Sequence, residues 1–205
     1  MTAETKTWIS TKDLYRMMRE GKIREGGPEY LWDGEIITPM PEKMPHITAA
    51  ENLRDLLAYR LPRVSWTVNG GRPIALADGY EPQPDVSVLR GPRSNYRTHT
   101  QTAADTALLV EVSSTTYRKD SGPFYRKYAQ EGVVQYWIVN VPARRIEVYN
   151  APDRAEGTYR ERVDYPQGAI VPLVLTVGAA VSEFAGIGVD DVLRDSLEDD
   201  PEPAG

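Results

Sequence analysis

The segment Thr106–Val112 restricts the possible folds of this chain more than any other. Apart from its first residue and Glu111, it consists entirely of apolar residues. A strand with apolar side chains on both faces needs cover on both faces, as central strands of helix-flanked sheets have. Val133–Val141 is predicted to be a second strand of this kind. The chain is therefore expected to have an α/β (α+β) fold, a mixed central sheet flanked by helices.

Apolar periodicity, caps and turn residues predict the other elements. The predicted helices are Thr7–Glu20, about Ile47–Leu61, and a short helix from Asp120 or Ser121 to about Gln130. The predicted strands are Tyr30–Trp32, Glu35–Thr38, Val64–Val68, Arg72–Ala77 and Pro84–Arg90, with edge strands at Arg145–Tyr149 and Thr158–Val163. Trp66, Tyr136 and Trp137 alternate with other residues within strands, so we expect them in the core rather than on a stacking surface.

Composition excludes several classes of protein. The chain of 205 residues has no cysteine, which excludes disulfides, thiolate zinc sites and cysteine nucleophiles. With only His46 and His99 as histidines, a bound metal would need mainly oxygen ligands, which Mg²⁺, Mn²⁺ and Ca²⁺ accept. No segment is apolar enough to span a membrane, and the first residues lack the core of a secretion signal. We therefore expect a cytoplasmic protein without membrane contact.

The negative charge is concentrated at one end of the chain. The net charge is -6, and residues 190–205 carry seven acidic residues against Arg194 alone. That segment accounts for the whole net charge, so residues 1–189 are formally neutral. We expect one domain over residues 1–192 and an acidic, disordered tail over 193–205. The low isoelectric point therefore does not argue against a nucleic-acid partner.

Two carboxylates are the main candidates for chemistry. Asp85 opens a predicted strand, and Glu111 lies near the end of the next long one. Adjacent strands lie about 4.8 Å apart, so both carboxylates can hold one divalent cation. A carboxylate in so apolar a strand needs a compensating partner, because burying an unpaired charge is costly. Alternatively, Glu111 marks an exposed strand end, and Asp85 caps a turn after Pro84.

Several short blocks follow one another along the sequence. They are Trp32-Asp-Gly-Glu35, His46 before a helix, Pro84-Asp85, Glu111-Val-Ser-Ser114, Asp120, Tyr128-Ala-x-x-Gly-Val133, Tyr136-Trp-Ile-Val139 and Arg144–Tyr149. In this order, they resemble the Uma-two family. The resemblance covers about residues 10–192. It implies a restriction-endonuclease-like PD-(D/E)XK core, the fold of putative bacterial endonucleases.

The resemblance also implies a chemistry. Asp85 and Glu111 would be ligands of Mg²⁺ or Mn²⁺, and the backbone carbonyl of Val112 would be a third ligand. The protein would then be a metal-dependent endonuclease that hydrolyses phosphodiester bonds in DNA or another nucleic acid. Enzymes of this fold often pair to cut two strands, so a homodimer is a further expectation. Its interface would use the predicted edge strands.

The lysine of the family motif is missing from its expected position. The family usually places it four residues before the Tyr of Tyr-Ala, and here that residue is Phe124. Lys127 lies one helical turn further on, so we predict that it takes the catalytic role. The alternative is that Lys127 is a solvated helix residue. Lys119 and Arg126 are weaker candidates.

Other candidates each have a functional and a structural interpretation. Glu51 is an additional acid or a solvated helix residue, His46 a base or a helix-start residue, and Asp120 a ligand or a helix cap. Arg90, Arg93 and Arg97 belong to a solvated loop or contact phosphates. Three functions therefore stay open: a nuclease, a catalytically weak or inactive relative that binds nucleic acid or protein, and a structural or regulatory protein.

Overall fold

The computed structural model describes residues 7–178 and 180–196 as one mixed α/β structure. The helices are α1 (Thr11–Arg19), α2 (Met44–Arg60), α3 (Tyr117–Lys119), α4 (Tyr125–Glu131) and α5 (Val189–Val192). The strands are β1 (Tyr30–Trp32), β2 (Glu35–Ile37), β3 (Trp66–Gly70), β4 (Ile74–Ala75), β5 (Val86–Arg90), β6 (Gln101–Thr102), β7 (Thr106–Ser113), β8 (Gln135–Asn140), β9 (Arg145–Asp153), β10 (Thr158–Pro166), β11 (Ile170–Val177) and β12 (Ala180–Gly188). A π-helical turn, Asp120–Phe124, joins α3 to α4.

The central sheet has six strands in the order β10-β9-β8-β7-β5-β3. β7 and β8 run parallel, and the other neighbouring pairs are antiparallel. A parallel pair needs a crossover connection, which α3, the π-helical turn and α4 provide here. The predicted mixed sheet flanked by helices is confirmed.

The two faces of the sheet are covered by different elements. On one face, Leu108, Val110 and Val112 of β7 share a core with α2 and the β11–β12 hairpin. On the other face, Leu109 packs in a second core with α4 and several tyrosines, and Glu111 points to the same side. The predicted core residues Trp66, Tyr136 and Trp137 are all buried.

Three details differ from the sequence prediction. The β11–β12 hairpin was not predicted, because Pro172 interrupts the apolar run of β11. The pairing register shifts at this proline, between Val171 and Leu173, and a strand tolerates proline at such a bulge. β4 has only two residues and pairs in parallel with β6 outside the central sheet.

The ends of the sheet also differ in part from the prediction. β9 is bonded on both sides, to β8 and β10, so it is not an edge strand; β10 and β3 are the outer strands. A homodimer through β10 stays a prediction. Leu193 and Ser196 are buried, and the rest of the predicted acidic tail, 197–205, lies outside the described residues. No helix in the described part of the chain is long and apolar enough to cross a membrane.

A glycine ends α4 and directs the chain into β8. Gly132 has a φ of 79°, and its N–H donates to the carbonyls of Ala129 and Tyr128. We predict that Gly132→Ala lowers the free energy of unfolding by about 1–2 kcal/mol, the cost of a left-handed conformation with a Cβ atom. Urea denaturation measures the change.

Gly122, in the preceding π-helical turn, is the matched control. A Cβ atom there would have no neighbour within 4 Å, and the residue is not in the left-handed region. Gly122→Ala is expected to leave stability unchanged or to raise it by up to about 1 kcal/mol. Equal losses in both variants would contradict the role given to the Gly132 conformation.

Candidate active site

A cleft of about 850 Å³ opens at the end of β7 where Glu111 lies. Its walls are the segment between β2 and α2, the first turns of α2, the start of β5 and the loop after β7. Asp85, Glu111, Val112, His46 and Lys119 are among the residues that line it. The structure therefore brings the two predicted carboxylates to one cleft.

Asp85 is held by hydrogen bonds to both of its carboxylate oxygens. The β5–β7 ladder ends at the pair Val86–Val110. The next N–H of β7 that points toward β5 is that of Val112, and it therefore has no partner in β5. It donates to Asp85 Oδ2 at 2.6 Å, and His46 Nε2 lies 3.0 Å from Asp85 Oδ1. Asp85 thus replaces a missing backbone partner and is fixed at the mouth of the cleft.

Glu111 is buried with little compensation. Its side chain leaves β7 on the α4 side, and Tyr128 Oη donates to Oε1 at 2.7 Å. Among the described residues, Tyr128 is its one hydrogen-bond donor. Burial raises the pKa of Glu111 well above its usual value, and the nearby charge of Asp85 raises it further. A divalent cation would relieve both effects, because it favours the ionised form.

A second buried glutamate, Glu147, has a negative charge that hydrogen bonds and an ion pair within the protein compensate. Glu147 on β9 and Glu111 on β7 both pair with Ile138, so they occupy one row across three strands. Glu147 accepts hydrogen bonds from Tyr117, Tyr149, Asn140 and Arg145, and it forms an ion pair with Arg162. Burial raises its pKa, but these hydrogen bonds outweigh burial and lower it overall.

The contrast separates a structural carboxylate from a candidate ligand. The protein satisfies Glu147 completely with its own side chains, whereas Glu111 faces a cleft and another carboxylate. Glu111 therefore depends less on the protein's own donors than Glu147 does, and it faces the cleft.

Val112 supplies backbone groups to the same place. In an extended strand, the N–H and C=O of one residue face the same neighbour. Because the Val112 N–H donates to Asp85, its carbonyl faces the Asp85 side of β7. The carbonyl predicted as the third ligand is therefore on the same side of β7 as Asp85.

Lys119 is the lysine that the structure places beside these carboxylates. Burial lowers the pKa of Lys119, but the charges of Glu111 and Asp120 outweigh burial and raise it. Its Nζ lies 3.5 Å from Asp120 Oδ1 and 4.4 Å from the centre of the Phe124 ring. The ammonium therefore sits over the ring of Phe124.

Lys127, the lysine favoured by the sequence prediction, lies elsewhere. Its Nζ is 2.8 Å from Glu131 and 4.0 Å from the centre of the Tyr80 ring. It is not among the residues that line the cleft. Lys127 therefore does not line the cleft that Asp85 and Glu111 share, whereas Lys119 does.

Pro123 explains why the register of the helix differs from the prediction. A proline cannot donate to the carbonyl four residues earlier, and its ring clashes with that carbonyl. Here that residue is Lys119, and the helix widens into a π-turn in which the Tyr125 N–H bonds to Asp120 O. Lys119 and Phe124 are five residues apart, and on a regular α-helix their side chains would point about 140° away from each other. The wider turn brings Lys119 over Phe124 instead.

The carboxylate of Asp120, the first residue of this turn, is buried and hydrogen-bonded. It is 1% exposed, and its Oδ2 accepts hydrogen bonds from Ser113 and Thr116. Among the described residues, its Oδ1 has no hydrogen-bond partner, and it lies 3.5 Å from the Lys119 ammonium. Asp120 is therefore neither a simple helix cap nor a direct member of the Asp85–Glu111 pair; it positions Lys119.

His46 and Glu42 add charged groups that face Asp85. His46 Nε2 lies 3.3 Å from Glu42 Oε1 as well as 3.0 Å from Asp85 Oδ1. Burial lowers the pKa of His46, but its hydrogen bonds to Asp85 and Glu42 outweigh burial and raise it to about 10. His46 is therefore not a helix-start residue alone, because its ring belongs to the candidate site.

The remaining predicted candidates lie at the rim or far away. Glu51 is exposed and lines the cleft. The arginine loop follows the C-terminal end of β5, whereas Asp85 precedes its N-terminal end. Arg90 is occupied by the carbonyls of Ala104, Thr106 and Thr176. The loop therefore does not support a phosphate contact next to the carboxylates.

Two residues of the site were missed or undervalued by sequence reasoning. Glu42 was not considered, although an acid four residues before His46 at a helix start is a detectable pattern. Lys119 was ranked below Lys127, although Pro123 in the following turn signals a change of helical register.

Comparison with known proteins agrees with this architecture. The Uma2 family, described as "Putative restriction endonuclease", matches residues 15–183. A solved structure, "a putative nuclease belonging to DUF820 from Anabaena variabilis ATCC 29413", has a TM-score of 0.64 at 13% identity and covers 92% of this chain and 99% of its own. No curated protein matches the chain.

The mixed sheet, its flanking helices and the structural neighbour define a nuclease-like α/β fold. More narrowly, the chain belongs to the Uma2 family, since that family matches most of its length.

The two buried glutamates give a test of the charge balance. In metal-free protein at pH 7, Glu111→Gln is expected to raise the free energy of unfolding by about 1–3 kcal/mol. The amide oxygen can still accept from Tyr128, and a neutral side chain removes the repulsion from Asp85. Urea denaturation in EDTA measures the effect.

Glu147→Gln is the control, and the opposite sign is expected. It weakens the charge-assisted hydrogen bonds from Arg145 and removes the ion pair with Arg162, which keeps its ion pair with Asp164, so stability should fall by about 1.5–3 kcal/mol. A loss of stability in both variants would show that the Glu111 charge is already compensated within the protein.

Proposed function

We propose that this protein is a divalent-metal-dependent endonuclease that hydrolyses phosphodiester bonds in DNA. The observation that carries the proposal is the pair Asp85 and Glu111 in one cleft, with Glu111 buried and its charge poorly compensated. Membership of the Uma2 family supports a nuclease as the activity class. The choice of metal and of DNA as substrate belongs to the proposal.

The residues present fit a divalent cation. Asp85, Glu111 and the Val112 carbonyl would hold it, and carboxylate and carbonyl oxygens are the donors that Mg²⁺ and Mn²⁺ accept. The raised pKa of Glu111 marks a carboxylate whose ionised form needs a positive neighbour. When bound, the ion would polarise the scissile phosphate and lower the pKa of an attacking water.

The protein side chains have separate tasks around that centre. The Val112 N–H and His46 hold Asp85 in place, and Tyr128 fixes one oxygen of Glu111. Lys119 supplies a positive charge that does not depend on a metal. An ammonium in a partly desolvated cleft stabilises the negative charge that develops on a phosphoryl group during hydrolysis.

Phe124 and its neighbours keep Lys119 in that position. The ring of Phe124 stacks on Trp32, with ring centres 3.9 Å apart, and the Lys119 ammonium lies over its face. A cation over an aromatic face is attracted by the ring quadrupole. Asp120 holds the ammonium from another side.

A cleavage assay tests the proposed activity. Purified protein should nick supercoiled DNA in Mn²⁺ or Mg²⁺ and should be inactive in EDTA. Glu111→Ala is expected to reduce cleavage by at least about a hundredfold, because one cation ligand is lost. DNA that is retained on the protein but not cut by the wild type under any metal condition would favour a non-catalytic binding module.

A set of lysine variants tests which ammonium serves the site. Lys119→Met is expected to reduce cleavage about a hundredfold or more, equivalent to ~3 kcal/mol for one electrostatic stabiliser. Lys127→Met, the matched control in the same helical segment, should leave the rate unchanged. DNA affinity in EDTA, measured by fluorescence anisotropy, should change little in either variant.

Phe124→Lys in the Lys119→Met background is the rescue variant. The new side chain starts beneath the position of the lost ammonium, so we expect at least a tenfold recovery of cleavage. Thermal unfolding checks that the variant folds without the Trp32–Phe124 stack; if it does not, Lys119→Arg provides the comparison. A loss of activity in Lys127→Met but not in Lys119→Met would restore the assignment made from the sequence.

A further inference from the structure

Glu42, His46 and Asp85 form a compact set of metal-ligand atoms at one side of the cleft. One ligand atom from each residue lies within 4.8 Å of the other two. The set is not a patch of surface acids, because His46 is 6% exposed and Asp85 is tied to the backbone of β7. The set lines the same cleft as Glu111.

We infer that His46 Nε2 and Glu42 are ligands of the cation that Asp85 holds, and that the site therefore selects Mn²⁺, or a similar transition-metal ion, over Mg²⁺. This inference rests on the proposed metal-dependent function and names the ion that the site takes. It adds an imidazole nitrogen to a ligand set that otherwise consists of oxygen atoms.

The position of the His46 ring is the first argument. Its Nε2 lies between two carboxylate oxygens, 3.0 Å from Asp85 and 3.3 Å from Glu42. A single N–H can point well at only one acceptor, so this nitrogen marks a point where positive charge is held between two anions. A cation that binds there takes the place of the Nε2 proton, which passes to solvent, and the ring coordinates as neutral imidazole.

The rigidity of the three residues is the second argument. Pro45 in the first turn of α2 fixes where that helix starts, and Pro is preorganised for this position. Glu42 lies two residues before α2, and its Oε1 is 3.3 Å from His46 Nε2. Asp85 comes from a separate element and is oriented by the Val112 N–H at 2.6 Å. The ligand atoms are thus brought together before any ion binds.

The chemistry of the donor atoms decides the selectivity. Mg²⁺ prefers oxygen ligands and keeps much of its hydration shell, whereas imidazole suits transition ions. Mn²⁺ accepts both carboxylate and imidazole. Loss of His46 should therefore weaken Mn²⁺ binding much more than Mg²⁺ binding, which a purely structural role for the ring would not produce.

The test is electron paramagnetic resonance of Mn²⁺ added to the tag-free protein. A pulsed measurement reports whether a nitrogen is bonded directly to the ion. The chain has only two imidazoles, those of His46 and His99. We expect nitrogen coupling in the wild type and in His99→Gln, and none in His46→Gln. Because the wild-type spectrum alone decides whether nitrogen coordinates, the test does not depend on how well a variant folds.

Affinity measurements complete the test. Titration followed by the free Mn²⁺ signal should show at least tenfold weaker binding in His46→Gln and in Glu42→Gln. Competition with Mg²⁺ should show less than about a threefold change in Mg²⁺ affinity for His46→Gln.

The outcomes separate this inference from the proposed function. Bound Mn²⁺ without nitrogen coupling in the wild type would overturn the inference, even if the protein cleaves DNA in a metal-dependent manner. Nitrogen coupling that disappears in His46→Gln would support it even if no nuclease activity were found. Equal losses of Mn²⁺ and Mg²⁺ affinity in His46→Gln would reduce His46 to a residue that only orients Asp85, and would overturn the selectivity.

Discussion

The burial of a carboxylate in the central strand is the constraint on which the site depends. β7 is covered on both faces, and all eight of its residues are buried. Glu111 therefore loses its hydration without gaining the set of donors that a buried carboxylate normally has. In the proposed function, a bound cation would complete the environment of this group. The cleft, the neighbouring Asp85 and the ammonium of Lys119 all lie where that completion would take place.

The geometry of the sheet determines where the second carboxylate can lie. The β5–β7 ladder stops at Val86, and Asp85 is the first residue beyond it. A free strand N–H at this point needs an acceptor, and the Asp85 carboxylate provides one. One hydrogen bond thus completes the sheet at this point and orients the Asp85 carboxylate. This double use explains why the pair can be recognised from sequence: an acid at a strand start lies beside an acid near the end of its neighbour.

Much of the fold can be predicted from such sequence patterns, but which lysine lies at the cleft cannot. The apolar runs of β7 and β8 identify the central strands, and Gly132 identifies the end of α4. The β11–β12 hairpin could not be predicted in this way, because β11 contains a proline. A strand tolerates a proline at a bulge, and such a bulge is visible only once the strand pairing is known. Lys127 was preferred because helical periodicity assumes 3.6 residues per turn. That assumption fails at Pro123, where one wider turn changes which side chains face the cleft.

The same turn brings two side chains with different tasks, those of Phe124 and Lys119, to one place. Phe124 stacks on Trp32 and touches Tyr30 and Tyr128 edge to face, so it joins the β1–β2 hairpin to the helix that follows β7. A lysine at position 124 would supply a charge but not this packing. The chain divides the two tasks: Phe124 packs, and Lys119 carries the charge over its ring. The π-turn makes both possible at once, because it brings the Lys119 ammonium over the Phe124 ring.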